Sequence, residues 1–160
     1  MERTVPLYSR GRYTYTMIYL ATDHRGFALK EKIKTWLGEW QLEFTDCGAT
    51  SLNPDDDYPD FIALAAEKVS QDPVNNRGII LGGNGEGEAM VANRRAGVRA
   101  AVVYAVNDEV VKMTREHDAS NILSLGASFL SDDDAKHVIK LWLDTPFSEE
   151  QRHVRRIAKY

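Results

Sequence analysis

An α/β fold on an open, mostly parallel sheet of about five strands is the class that this 160-residue sequence predicts. Two observations carry that reading. Short apolar, β-favouring runs alternate with longer segments whose apolar residues recur at helical spacing. Polar and glycine-rich stretches come directly after the short runs, where strands of such sheets end at a ligand crevice. The length suits a single domain with a real core, and no repeat or low-complexity segment interrupts it.

Residues 1–16, MERTVPLYSRGRYTYT, are polar and aromatic with no apolar centre. They read as a loose N-terminal extension, not a secretory leader, with Met17 as an alternative start. A short edge strand from RYTYT is the competing reading. The domain, 17–160, opens on MIYLATDH, a buried strand running into a loop. In GFALKEKIKTWLGEW, Phe27, Leu29, Ile33, Trp36 and Leu37 fall at helical spacing between lysines and glutamates. LEFTDCG is a second short strand ending at Gly48, and ATSLNPDDDYPD is a loop by its Asn, Pro and Asp content. DFIALAAEKVS is a helix with Phe61, Leu64, Ala65 and Val69 on one face. RGIILGG is a strand, EAMVANRR a helix and VRAAVVYA a strand. DEVVKMTREH and DDDAKHVIKLWLDT are helices with acidic first turns, which suit the positive end of a helix dipole, and NILSLGA is the strand between them. SEEQRHVRRIAKY closes the chain as a basic helical tail.

Composition removes several functions. A net charge of −4 gives no broad attraction to nucleic acid or to an anionic membrane. No apolar run is long enough to cross a bilayer. The single cysteine, Cys47, cannot close an internal disulfide, and no cysteine–histidine metal spacing is present. No metal is expected, and a reducing, cytoplasmic setting is the default.

The chemistry gathers at GGNGEGE, where Gly82, Gly83, Gly85 and Gly87 fall within six residues. N–H groups with no side chains in the way can converge on a negative charge, and the helix after the loop adds its positive end. Such a nest suits a phosphate or the oxyanion of an enediolate. The Gly-Lys-Ser/Thr ending of a Walker loop is missing, and the loop does not open the first βαβ unit, where a dinucleotide fingerprint belongs. Glu88, placed by the sequence at the first or second position of the next helix, is either a capping carboxylate or a general base at the rim of the anion hole. His24, after Asp23 at a strand end, and His117, before another strand, both read as lying on or near the loop side, whereas His137 falls on a surface helix. In QRHVRR, Arg152 and Arg156 share one helix face and form either a solvated basic tail or a phosphate clamp.

Together these stretches resemble the type B ribose-5-phosphate isomerase and galactose-6-phosphate isomerase family. ATDHRGFALKEKI is similar to its opening, and DCGATS with DDYPDF to its Asp-x-Gly-Thr and Asp-Tyr-Pro stretches. GGNGEGEAMVANRRAGVRAA resembles its anion-hole loop, its Ala-Asn-Lys and its Gly-Ile/Val-Arg-Ala. REHDASNILSLGA resembles its His-Asn-Asp segment, and QRHVRRI its late Arg-His-x-x-Arg. The resemblance runs through nearly everything from Met17 onward. It implies a Rossmann-like, three-layer, doubly wound fold and a homodimer with the site at the subunit interface, with pairing into tetramers left open. It implies aldose–ketose isomerisation of a sugar phosphate, ribose 5-phosphate to ribulose 5-phosphate first, through an enediolate and without metal or cofactor.

By residue match, Asp23 and His24 contact the sugar and Tyr58 lines the site. The amides of Gly83, Gly85, Glu86 and Gly87, with Asn84, hold the enediolate oxygen. His117, from the partner subunit, helps to open the ring, and Arg152 and Arg156 bind phosphate. Four departures bear on this. Gly82 stands where many members carry a cysteine base; another branch pairs that glycine with a glutamate at the position of Glu88, which makes Glu88 the favoured base. Cys47 does not align with the lost cysteine and reads as structural. His117-Asp118-Ala119 replaces His-Asn-Asp, so Asp118 takes the place of a sugar-contacting amide. Ser128 replaces a phosphate-binding arginine, a loss that Arg155 is placed to offset. These last two changes keep open a catalytically weakened or heteromeric member that binds a different sugar. A nucleotide-binding domain is a further reading, disfavoured by the missing fingerprint.

Overall fold

The computed structural model describes residues 15–160. Its strands are β1 (Met17–Thr22), β2 (Phe44–Asp46), β3 (Asn76–Gly82), β4 (Ala100–Val103) and β5 (Ile122–Gly126). Its helices are α1 (Phe27–Glu39), α2 (Tyr58–Gln71), α3 (Glu86–Ala92), α4 (Asp108–Glu116), α5 (Asp132–Asp144) and α6 (Gln151–Ile157). The strands form one all-parallel sheet in the order β2-β1-β3-β5-β4. The α/β class and the five-strand parallel sheet expected from the sequence are both present.

Burial depends on position in the sheet. Every residue of the central β3 and of β5 is buried, whereas the edge strands β2 and β4 are largely half-exposed. That is why RGIILGG and NILSLGA read as continuous apolar runs, since strands covered on both faces need no alternation. One face carries α1, α4 and α5, with Leu29, Ile33, Leu37, Val111, Val138 and Trp142 in its core. The other carries α2 and α3, with Ile62, Ala65, Ala66, Val69 and Ala92.

The strand order also places the site. From β1 the chain crosses to β2 on one side, and from β3 it crosses to β4 on the other. The loops after β1 and β3 therefore part at the carboxyl edge, where sheets of this kind form a ligand crevice. The Thr22 hydroxyl ties the two strand ends together by donating to the Leu81 carbonyl at 3.0 Å.

Several local readings shift. Helix α2 begins at Tyr58, within the segment read as loop, because Pro59 has the backbone angle a first turn needs and no N–H to waste there. Its buried stripe is Ile62, Ala65, Ala66 and Val69; Leu64 lies off that stripe, 55 % exposed. Lys30, read as one of the polar residues of α1, is fully buried, with its Nζ 2.5 Å from Asp46 Oδ2. Burial alone would raise the Asp46 pKa, but Lys30, the Gly48 N–H and Lys34 outweigh it and hold the carboxyl below its usual range. Residues 1–14, including most of the RYTYT alternative, lie outside the described residues. Tyr15 packs against the core under the Arg77 guanidinium, 5.1 Å from its ring centre, and its burial pushes the phenol up to about 12.

Candidate active site

At the carboxyl end of β3 the chain turns through Gly83, Asn84 and Gly85. Gly85 takes the left-handed conformation (φ 83°) that glycine adopts without strain. Helix α3 starts at Glu86, so Glu88 is its third residue, one or two places later than its sequence reading. Helical side chains lean back toward the N-terminus, which directs Glu88 over Gly82. Glu88 is only 4 % exposed. Any side chain at Gly82 would occupy the space of the Glu88 carboxylate. Burial raises the Glu88 pKa; a bond from its own N–H partly offsets this, and the nearby Asp23 carboxylate adds to the rise. Gly82→Cys is therefore expected to displace Glu88 and lose most activity, and to lower stability by about 1–3 kcal/mol through overpacking. Thermal melts alongside turnover measure both effects.

The loop holds its shape by outward bonds. The Gly85 carbonyl accepts from the Ser124 hydroxyl at 2.6 Å, and the Gly83 carbonyl accepts from the Ser128 N–H at 3.0 Å. Among the described residues no acceptor engages the N–H groups of Gly83, Asn84, Gly85 or Gly87. The Glu86 N–H differs from its sequence reading: the Asn84 side chain takes it at 3.0 Å, so neither that amide nor the Asn84 side-chain oxygen is free for a substrate.

Asp23, His24 and Arg25 lead from β1 into the same crevice. Asp23 is buried, and its Oδ1 accepts from the Arg25 N–H at 2.9 Å. Asp56, which nothing in the DDD run distinguishes, accepts from the His24 backbone N–H at 3.0 Å and lies 2.7 Å from His24 Nδ1. This pairing places a proton on Nδ1 and leaves Nε2 without a protein partner among the described residues. Asp23, His24 and Asp56 bring donor atoms within 4.8 Å of one another, the grouping that comes nearest to a metal set among the described residues. Asp56 Oδ1 is engaged by the His24 backbone N–H and ring, whereas its Oδ2 is buried with no hydrogen-bond partner among the described residues. Tyr58, at the head of α2, lays its hydroxyl over Gly87, where a β-carbon would come within 2.6 Å of it.

The remaining predicted residues lie elsewhere. His117 caps the end of α4, and the chain then enters β5 at its amino end. His117 and Asp118 are therefore at the opposite end of the sheet from Glu88, a correction to the loop-side placement of His117. Helix α6 sits with them. The Ser148 N–H donates to the Glu116 carbonyl at 3.1 Å, and the His153 ring stacks on His117 with centres 4.3 Å apart. His153, part of the Arg-His-x-x-Arg resemblance, is buried, which the sequence does not show because a histidine in a basic tail looks solvated. Burial, His117 and the flanking arginines push its pKa down. Arg152 is exposed and meets Glu150 at 2.8 Å. The residues expected from the sequence thus fall into two groups, candidates for two half-sites: Asp23, His24, Tyr58, the glycine loop and Glu88 at the carboxyl edge, and His117, Asp118, Arg152 and Arg156 at the amino edge.

Comparison with known proteins gives the family of the chain. A family profile described as ribose/galactose isomerase matches residues 18–160. The chain belongs to the ribose/galactose isomerase family. It is 38% identical to ribose-5-phosphate isomerase B of Mycolicibacterium paratuberculosis over 140 residues, 88% of this chain and 86% of that protein. It is 37% identical to a probable ribose-5-phosphate isomerase B of Mycoplasma genitalium over 142 residues, 89% of this chain and 91% of the relative. The crystal structure of the Mycoplasma genitalium enzyme with bound ribulose-5-phosphate superposes with a TM-score of 0.86 at 35% identity, covering 92% of this chain and 95% of that one. The Trypanosoma brucei type B enzyme gives 0.82 at 30% identity, covering 91% and 96%. The family match, over residues 18–160, includes both groups of residues. Among the described residues no helix is long and apolar enough to cross a membrane.

Proposed function

We propose that this family member is an aldose–ketose isomerase interconverting ribose 5-phosphate and ribulose 5-phosphate, with Glu88 as the base. The observation that carries the reading is the buried Glu88 carboxylate beside a loop whose N–H groups have no acceptor. Isomerisation moves a hydrogen between carbons 1 and 2, so one base must take the proton from one carbon and return it to the other. A carboxylate with a raised pKa is a strong enough base for this and still gives the proton back. The N–H groups of Gly83, Asn84, Gly85 and Gly87 stabilise the oxyanion that develops on the adjacent carbon. One such donor is worth roughly 100-fold or more in rate. His24 Nε2 and the Tyr58 hydroxyl orient the sugar hydroxyls. No step calls for a metal or an organic cofactor.

The second half-site completes the first from another subunit. His117 of the partner subunit opens the sugar ring, and Arg152 and Arg156 of the partner subunit hold the phosphate. Exposed apolar residues support a homodimer: Tyr104, Val106, Val110, Met113 and Phe129 lie open beyond the edge strand β4 and on α4, and a monomer gains nothing by leaving them so. Cys47 stays outside the chemistry, because burial and Asp46 push its pKa up and keep the thiol protonated. A free, partly buried thiol suits the cytoplasm.

The test is turnover by the purified chain on a panel of phosphorylated and free pentoses and hexoses, with ribose 5-phosphate expected to be best. No turnover of any sugar phosphate would favour the weakened or heteromeric reading. A second expectation concerns pH. The base works ionised, so kcat at saturating substrate falls as pH drops through the raised Glu88 pKa. The acid limb should lie above the ordinary carboxylate range. A limb within that range would show that burial does not tune the base.

A further inference from the structure

We infer that Arg25 supplies the cation that holds the substrate's phosphate on the Gly83–Ser128 side of the crevice, where Ser128 itself offers only a neutral hydroxyl. The inference deepens the sugar-phosphate reading above and rests on it.

The placement comes from three contacts. The Arg25 N–H is turned back onto Asp23 Oδ1 at 2.9 Å, which fixes the Arg25 backbone at the end of β1. A β-carbon built on Gly83 would sit 3.9 Å from Arg25 Cγ and 3.7 Å from Ser128 Oγ. The arginine stem and the serine hydroxyl thus flank the same glycine, and the bond from Ser128 N–H to the Gly83 carbonyl at 3.0 Å fixes that corner. Beyond Cγ the side chain still has its whole fork to extend into the crevice.

The Arg25 guanidinium is also uncommitted. It is exposed, and among the described residues it makes no hydrogen bond, ion pair or ring contact. Arg77 and Arg99, by contrast, donate to backbone carbonyls, and Arg95 meets Glu67 at 3.1 Å. A dianion arriving at this edge faces the carboxylates of Asp23, Asp56 and Glu88, so a positive charge from the same edge adds to what Arg152 of the partner subunit and Arg156 of the partner subunit supply. Arg152, Arg155 and Arg156 all belong to α6 at the other end of the sheet. Arg155 therefore enlarges a cluster that already exists and leaves the Ser128 side untouched. A fork-shaped guanidinium beside a hydroxyl and unengaged N–H groups matches phosphate oxygens.

The experiment measures binding of inorganic phosphate and of ribulose 5-phosphate by calorimetry, and turnover of ribose 5-phosphate, in the full chain. Arg25→Ala should weaken binding of both ligands and raise KM about ten- to a hundred-fold, the size of one lost charge-assisted contact. The ratio of affinity for ribulose 5-phosphate to that for free ribulose should fall with it. Arg25→Lys should recover part of the loss. Ser128→Arg added to Arg25→Ala should recover most of it, since the second arginine enters the same corner. Unchanged phosphate affinity in Arg25→Ala overturns the inference, and so does a loss that Ser128→Arg leaves unrelieved. The two levels of the reading separate cleanly. Wild-type turnover of ribose 5-phosphate with a KM indifferent to Arg25 overturns the inference alone. Phosphate binding that depends on Arg25, in a chain that turns over no sugar phosphate, supports the inference and removes the isomerase reading.

Discussion

Glu88→Gln is expected to lower kcat on ribose 5-phosphate by about 10²–10⁴-fold, the usual worth of a positioned acid–base group. The fold and the affinity for substrate should be largely kept. Gln keeps the size of the side chain, so the space over Gly82 stays filled. Stability gives an independent readout. Because burial raises the Glu88 pKa, the folded protein holds that proton more tightly than the unfolded chain does. Ionisation therefore subtracts stability as pH climbs from the unfolded pKa to the raised one. Gln never ionises, so relative to wild type the variant's melting temperature should improve across that window and stay improved above it. Cys47→Ser should leave turnover intact. A folded Glu88→Gln protein that still isomerises, beside a Cys47→Ser protein that does not, would move the base to the cysteine.

Mixing two inactive proteins, Glu88→Gln and His117→Ala, should restore activity if subunits exchange. A mixed dimer contains one site with both defects and one with neither. Random pairing makes half of the dimers mixed, so recovery should approach about one quarter of the wild-type rate. Mass spectrometry under native conditions can verify the mixed species. No recovery in verified mixed dimers would mean that each site is built within one chain. The geometry is the reason to expect recovery, because α4 delivers His117 to the amino end of β5 while α3 holds Glu88 past the carboxyl end of β3.

The fold was legible because it is written in periodicities that a single strand or helix must satisfy by itself. RGIILGG had to be a covered strand, and the glycines after it had to be a loop. Helix starts were less legible. Tyr58 and Pro59 looked like loop because proline and aspartate share the vocabulary of turns and first helical turns. That Asp23, His24 and the glycine loop gather at one edge was readable for a related reason: polar residues at the ends of parallel strands come together there. What could not be read depends on contacts distant in sequence. Lys30 looks like any surface lysine until Asp46 is seen beside it. Asp56 cannot be told from Asp55 or Asp57 until one of them meets His24. Nothing in QRHVRR says that His153 turns inward onto His117.

The overlap between Gly82 and Glu88 also constrains ancestry. A carboxylate that fills the volume above residue 82 and a thiol that projects from residue 82 cannot coexist in this backbone. The two solutions are separated by at least two codon changes. Taken one at a time, those changes pass through either a crowded protein carrying both groups or one carrying neither, which on the proposed mechanism lacks its base. A lineage is therefore held to the choice it made, and descendants should keep the pair or exchange it together. Across any collection of descendants, the identity of residue 82 should forecast that of residue 88, even where the rest of the chain has drifted.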